Sequence, residues 1–276
     1  MQLLRMRSLY HRIVAITLAG CALVACAKPT AVQRALSALH QRDDARALSL
    51  LRARIVEDPN DLAARRLLLR VLASTSDVPA ALREIDALAA RLPPQDPSAL
   101  LERGHVLELA HRFDEALDAY DAAASLAPAD PRGPREGGIR AAHWGEAEEA
   151  LPRLEEAHRR GADDADLWHA LGAVRTKLGD RAGALDAYAQ VSRVAPARIE
   201  GHLGRASVGL ASGDHALALR EYEILCAMRP RDATFALARA YNLARLGRRQ
   251  EAAAALDKAS ELGASPTHVA KIRSLL

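Results

Sequence analysis

Residues 165–198 read ADLWHALGAVRTKLGDRAGALDAYAQVSRVAPAR. Two segments of about a dozen residues, each with apolar side chains at helical spacing, flank the turn Leu178-Gly179-Asp180, where glycine tolerates the left-handed conformation that ends a helix. Pro196 then stops the second segment, because its ring clashes with the preceding turn of helix. The stretch is a helix-turn-helix, and it recurs. Ala184 stands in a row with Ala47, Ala81, Ala116, Ala150, Ala218 and Ala252, spaced by 34 or 35 residues, and four residues after each come Leu51, Ile85, Tyr120, Leu154, Tyr188, Tyr222 and Leu256. The terminal proline returns at Pro59, Pro93, Pro128 and Pro230 and is replaced by Ala162 and Ala264. Seven units fit: 28–61, 62–96, 97–130, 131–164, 165–198, 199–232 and 233–266. No such unit can bury its apolar face alone, so neighbours must stack.

The period and the positions resemble the tetratricopeptide repeat, whose pattern is Trp-x2-Leu-Gly-x2-Tyr, then Ala-x3-Phe, then Pro. Trp168, Leu171, Gly172, Ala184, Tyr188 and Pro196 match it, and Arg175 stands where Tyr would be. The resemblance implies an all-α fold: a right-handed superhelical solenoid of about seven repeats over 28–266, closed by a capping helix at 267–276. Gly104 and Gly172 in first helices, and Ala116 and Ala184 in second helices, are expected to let helix backbones approach closely. Tyr120, Tyr188 and Tyr222 are expected to share one packing position. The unit 131–164 looks weakest. PRGPREGG at 131–138 and Pro152 should shorten or kink its helices, as drift in a tolerant repeat or as a hinge.

Ahead of the repeats, Arg5, Arg7 and Arg12 precede an uncharged apolar run from Ile13 to Ala25 with no acidic residue before it. That is the layout of a secretory signal peptide over residues 1–25, and the run is shorter than the roughly 20 apolar residues a spanning helix needs. Leu-Ala-Gly-Cys21 and Leu-Val-Ala-Cys26 both resemble the bacterial lipobox, in which the cysteine is acylated and becomes the mature N-terminus. Cys26 is favoured over Cys21 because it uses the whole apolar segment and leaves the polar start Ala27-Lys28-Pro29, with residues 26–27 at the anchor. Ala27, in place of Asp, resembles the outer-membrane class of lipoproteins. The expected location is the periplasmic face of the outer membrane, held by several acyl chains.

Without residues 1–25 the charge balances at 35 basic against 35 acidic residues, so the basic pI argues for no nucleic acid partner. Aromatics at 3% also leave few platforms for stacking single-stranded bases. Cys226 would be the remaining thiol, expected to be a small buried hydrophobe. No two of the ten His lie three or four apart on one helix, and most read as solvated surface residues. No metalloprotease, serine-hydrolase, phosphate-loop or dinucleotide motif is present. We therefore expect no enzyme activity, no cofactor, no metal and no small-molecule substrate.

In related solenoids the first helices line a concave groove that takes a peptide or a partner's helix. Carried onto this chain, that register places Arg66, Arg70, Leu101 and His105 on the groove, then Arg135, Ile139, His169, Ala173 and Lys177, then Leu203, Leu210, Tyr241 and Arg245. These mix apolar anchors with cationic donors, which suits an extended or helical segment bearing carboxylates. The groove positions hold no Asn, so the Asn and Lys clamp by which chaperone-binding members seize a C-terminal carboxylate is missing. The expected function is a membrane-anchored protein-protein interaction scaffold of the bacterial cell envelope, assisting assembly of a pilus or secretion channel. The alternative is a scaffold for peptidoglycan-remodelling or polysaccharide-export enzymes.

Overall fold

The computed structural model describes residues 29–75 and 77–276; residues 1–25, read above as a signal peptide, and both candidate lipidation sites, Cys21 and Cys26, lie outside them. Among the described residues there are fifteen α-helices and no strand. Seven pairs follow one another: α1 (Ala31–His40) with α2 (Asp44–Glu57), α3 (Leu62–Ser74) with α4 (Val78–Ala89), α5 (Ser98–Leu109) with α6 (Phe113–Leu126), and α7 (Arg132–Trp144) with α8 (Ala147–Arg159). Then come α9 (Ala165–Lys177) with α10 (Arg181–Val194), α11 (Glu200–Ala211) with α12 (His215–Met228), and α13 (Ala233–Arg245) with α14 (Arg249–Glu261). A last short helix, α15 (Pro266–Arg273), closes the chain.

One backbone device makes every helix pair. The residue four before each repeat alanine donates its N–H to the carbonyl five residues back, from Asp43 to Ala38 at 2.9 Å through to Arg248 to Leu243 at 3.0 Å. That bond satisfies a carbonyl orphaned at the end of the first helix and requires a left-handed residue one position earlier. Gly145, Gly179, Gly213 and Gly247 supply it, and Arg42 and His111 hold the same position at φ 59° and 58°. The donor residue is also the cap of the second helix. Asp43, Asp77, Asp180 and Asp214 each accept a backbone N–H from the first turn through their side chains. Arg112 and Arg248 make no such cap and pair instead with Glu115 and Glu251 one turn on.

The contacts among these helices divide the chain into two compact units. One comprises the described residues up to Arg91 with Leu109–His111; the other comprises Leu92–Glu108 and Arg112–Leu276. In the first, Ala35, Ala47, Leu51, Leu68, Leu69, Leu72 and Ile85 are buried. In the second, the core runs from Leu101 through the pairs to Ile272, which α15 packs with Leu243, Ala252 and Leu256. All seven repeat alanines are fully buried. Tyr120 and Tyr188 fill the space their partner helices leave by carrying glycine: a Cβ on Gly104 would lie 2.4 Å from the Tyr120 ring, and one on Gly172 2.6 Å from the Tyr188 ring.

Two expectations change. Tyr222 is only half-buried, unlike Tyr120 and Tyr188, and the position equivalent to Gly104 and Gly172 holds Ala206. Nor are the helices of residues 131–164 shortened, since α7 and α8 have 13 residues each, as many as α9 and α13. Pro134 falls in the first turn, where no intrahelical N–H bond is made anyway. Gly133 and Gly138 are close-packing sites: a Cβ would come 2.6 Å from Ala124 N and 2.7 Å from Leu154 Cγ. Residues 131–164 lie inside the second unit, and the division between units falls at Arg91 and Leu92.

Candidate functional site

In a helix, residues four apart share a face, so the fifth and ninth residues of successive repeats form rows. In the second unit two such rows meet at a cavity of about 450 Å³ lined by α7, α9 and Arg198. Arg135 and Ile139 from α7, and His169 and Ala173 from α9, are brought together there, four of the residues the sequence register placed on the groove. Glu136, Arg140, Ala142, His143, Asp166 and Ala170 complete the lining. Ile139 is 8% exposed and Ala170 6%, giving the cavity an apolar floor.

The other register residues are spread along the row. Leu101 packs inward with Leu107, Ala116 and Tyr120, so it serves the core and offers little surface. Lys177 donates to the carbonyl of Gly145. Leu203 and Leu210 are half-buried on α11. Tyr241 on α13 is half-buried, edge-on to His215 at 5.7 Å, with the Arg245 guanidinium 5.9 Å from its ring centre. Arg66 and Arg70 are exposed on α3, in the first unit.

The cationic donors are not free. Arg135 holds Asp164 in a two-pronged pair, Nε to Oδ2 and Nη2 to Oδ1 both at 2.7 Å, and reaches Glu136 at 2.7 Å. Arg198 holds Asp166 at 2.6 Å and Glu200 at 3.4 Å. Arg140 lies 3.1 Å from Glu108 and 3.5 Å from Glu136. The hydrogen bonds from Arg135 draw the Asp164 carboxyl below its usual range, and His105 with the neighbouring arginines does the same for Glu136. Asp164 escapes sequence reading because it also caps α9, accepting the backbone N–H groups of Asp166 and Leu167. Its Asp-before-helix position signals a cap and says nothing of an arginine 29 residues earlier.

Four histidines are half-buried and partnered, His105 and His169 of the groove register and His202 and His215 beyond it. His202 Nδ1 meets the buried Glu221 at 2.8 Å, which Arg205 also reaches at 3.0 Å, and His215 meets Asn242 at 3.0 Å. His169 lies against Tyr188, and burial, with Arg198 nearby, lowers its pKa. His105 goes the other way. Burial alone would lower it, but Glu102 at 3.9 Å and Glu136 at 3.6 Å outweigh burial and push it up to about 9. A raised folded pKa stabilises the fold fully below the ordinary histidine value of about 6.5. That contribution is lost as pH rises through about 9. We expect wild-type protein to lose denaturant resistance across this window more steeply than His105→Gln; parallel curves would exclude the pair as a source of stability. Cys226 is half-buried in a cavity of about 80 Å³, where burial pushes its thiol pKa up and keeps it protonated.

A succession of such helix pairs defines a helical-repeat protein. The tetratricopeptide repeat family model matches residues 68–131 and 203–267 of the chain. Its fold is similar to the C-terminal part of a TPR repeat-containing protein from Cytophaga hutchinsonii, at 15% identity and TM-score 0.66, covering 87% of this chain and 98% of that one. It is also similar to YrrB, described as a TPR protein with an unusual peptide-binding site, at 20% identity and TM-score 0.57 over 65% of this chain and 93% of that one. MamA protein matches at 18% identity and TM-score 0.56, over 61% and 92%. No curated protein matches the chain in sequence.

Proposed function

We propose that this protein is a lipid-anchored scaffold of the bacterial cell envelope that holds a segment of a partner protein along its first-helix groove. The observation that carries the reading is the cavity between α7 and α9: an apolar floor walled by oriented charged side chains on rigid helices. The peptide-binding site described for the structurally similar YrrB supports the same use of the fold. The anchor rests on Leu-Val-Ala-Cys26 behind the leader, with acylation at Cys26 placing the repeats at the periplasmic face of the outer membrane.

The test is a detergent pull-down from cross-linked envelopes with the tag at the C-terminus, read by mass spectrometry for partners and for the N-terminal peptide. Recovery of a multimeric channel, lost on Arg66→Glu with Arg70→Glu, supports an assembly role for a pilus or secretion channel. Recovery of peptidoglycan or polysaccharide-export enzymes makes it a scaffold for those enzymes. An N-terminal peptide that is unmodified, or begins at Met1, rejects the anchor, and recovery of no groove-dependent protein rejects the scaffold.

A further inference from the structure

The groove's charge differs from what its row of arginines suggests. Around the cavity, Arg135, Arg140 and Arg198 face Glu108, Glu136, Asp164, Asp166 and Glu200; Arg135 has three carboxylates within 4 Å and Arg140 and Arg198 two each, so carboxylates are in excess. Neighbouring charges do not reverse this. His105 closes on Glu102 and Glu136, Arg132 on Asp130 at 2.7 Å, and Lys177 donates to a backbone carbonyl. His169 is held towards its neutral form. Three of these carboxylates are more accessible than the arginines: the side chain of Asp166 is 58% exposed, and those of Asp164 and Glu200 are 41% and 39% exposed, against 23% for Arg135, 27% for Arg140 and 36% for Arg198.

We propose that the segment bound over α7, α9 and the start of α11 carries lysine or arginine side chains that meet Asp164, Asp166 and Glu200 while apolar residues sit on Ile139 and Ala170. The proposal rests on the groove being a peptide site. A carboxylate-bearing segment would have to break an existing pair at Arg135 or Arg198, leaving Asp164 or Asp166 without its cation beside a second anion. A basic segment keeps every existing pair and adds partners to exposed oxygens. Charge arranged this way sets which partners are rejected and how fast the right one docks, and it weakens with salt.

The experiment is selection of binders from a random twelve-residue peptide library on the immobilised full chain, run in parallel on two variants. Ala173→Trp fills the cavity from an exposed position, and Asp166→Asn with Glu200→Gln removes two of the exposed carboxylates. Peptides lost on Ala173→Trp and enriched in Lys and Arg, with binding weakened about tenfold by the double variant and by raised salt, are the expected result. Groove-dependent peptides rich in Asp and Glu, or without charge preference, overturn this proposal while leaving the peptide site standing. Failure to recover any peptide sensitive to Ala173→Trp overturns both. Circular dichroism melts of the variants confirm that each is folded before binding is compared.

Discussion

Tyr120→Ala is expected to lower the melting temperature by about 10 °C, the effect of removing a large ring from a packed interior. The Tyr120 side chain is fully buried, and it occupies the space that glycine leaves at two points on neighbouring first helices. A Cβ on Gly104 would lie 2.4 Å from its ring and one on Gly137 3.2 Å from its Cβ, so truncation removes contacts to α5 and α7 at once. Loss of a buried aromatic side chain to alanine typically costs about 3–5 kcal/mol, because the surroundings relax only partly into the cavity. In a stack of repeats stability is a sum of units and nearest-neighbour interfaces, so the loss should also split or broaden the transition as α5 to α8 give way before the rest. Tyr120→Phe keeps the ring and should melt close to wild type. A Tyr120→Ala melt within a degree of wild type would show that the ring does not join these helices.

The second large effect comes from the opposite change. Ala184→Trp inserts an indole where the side chain is fully buried and clustered with Tyr188 and Val208. Overpacking of this kind costs about 1–3 kcal/mol and more where backbones must separate. The same substitution at exposed Ala173 places the indole in the groove and should leave the melt unchanged. If both variants melt alike, the alanine row does not mark the close approach of helix pairs. Because Ala150 and Ala218 are buried to the same degree one repeat either side, tryptophan there should behave as at Ala184.

The N-cap aspartates show how far sequence reading reaches into the site. Asp43, Asp180 and Asp214 are legible as caps, since a short acidic side chain directly before a helical segment satisfies orphaned N–H groups of its first turn. Asp164 obeys the same rule and caps α9, yet it also neutralises Arg135. Arg135, Ile139, His169 and Ala173 were legible as a set because one repeat register puts them on one face. The sign of the charge they would show a partner was not. Glu136 beside Arg135, Glu108 beside Arg140 and Asp166 beside Arg198 decide it.

The sequence by itself determined the helix pairs, their turns and the seven buried alanines, because those depend on spacing within about 34 residues that repeats from unit to unit. It also implied the row of first-helix side chains that the cavity interrupts. Only the tertiary structure decided which tyrosine of three is left half-exposed, why the glycines of 131–138 strengthen packing, and which arginines are already paired. The reason is physical. Periodicity reports which face of a helix is buried, whereas an ion pair such as Arg153 with Asp121, or Arg140 with Glu108, joins side chains across stacked repeats. Its formation depends on the distance and tilt between two helices, which no single repeat encodes.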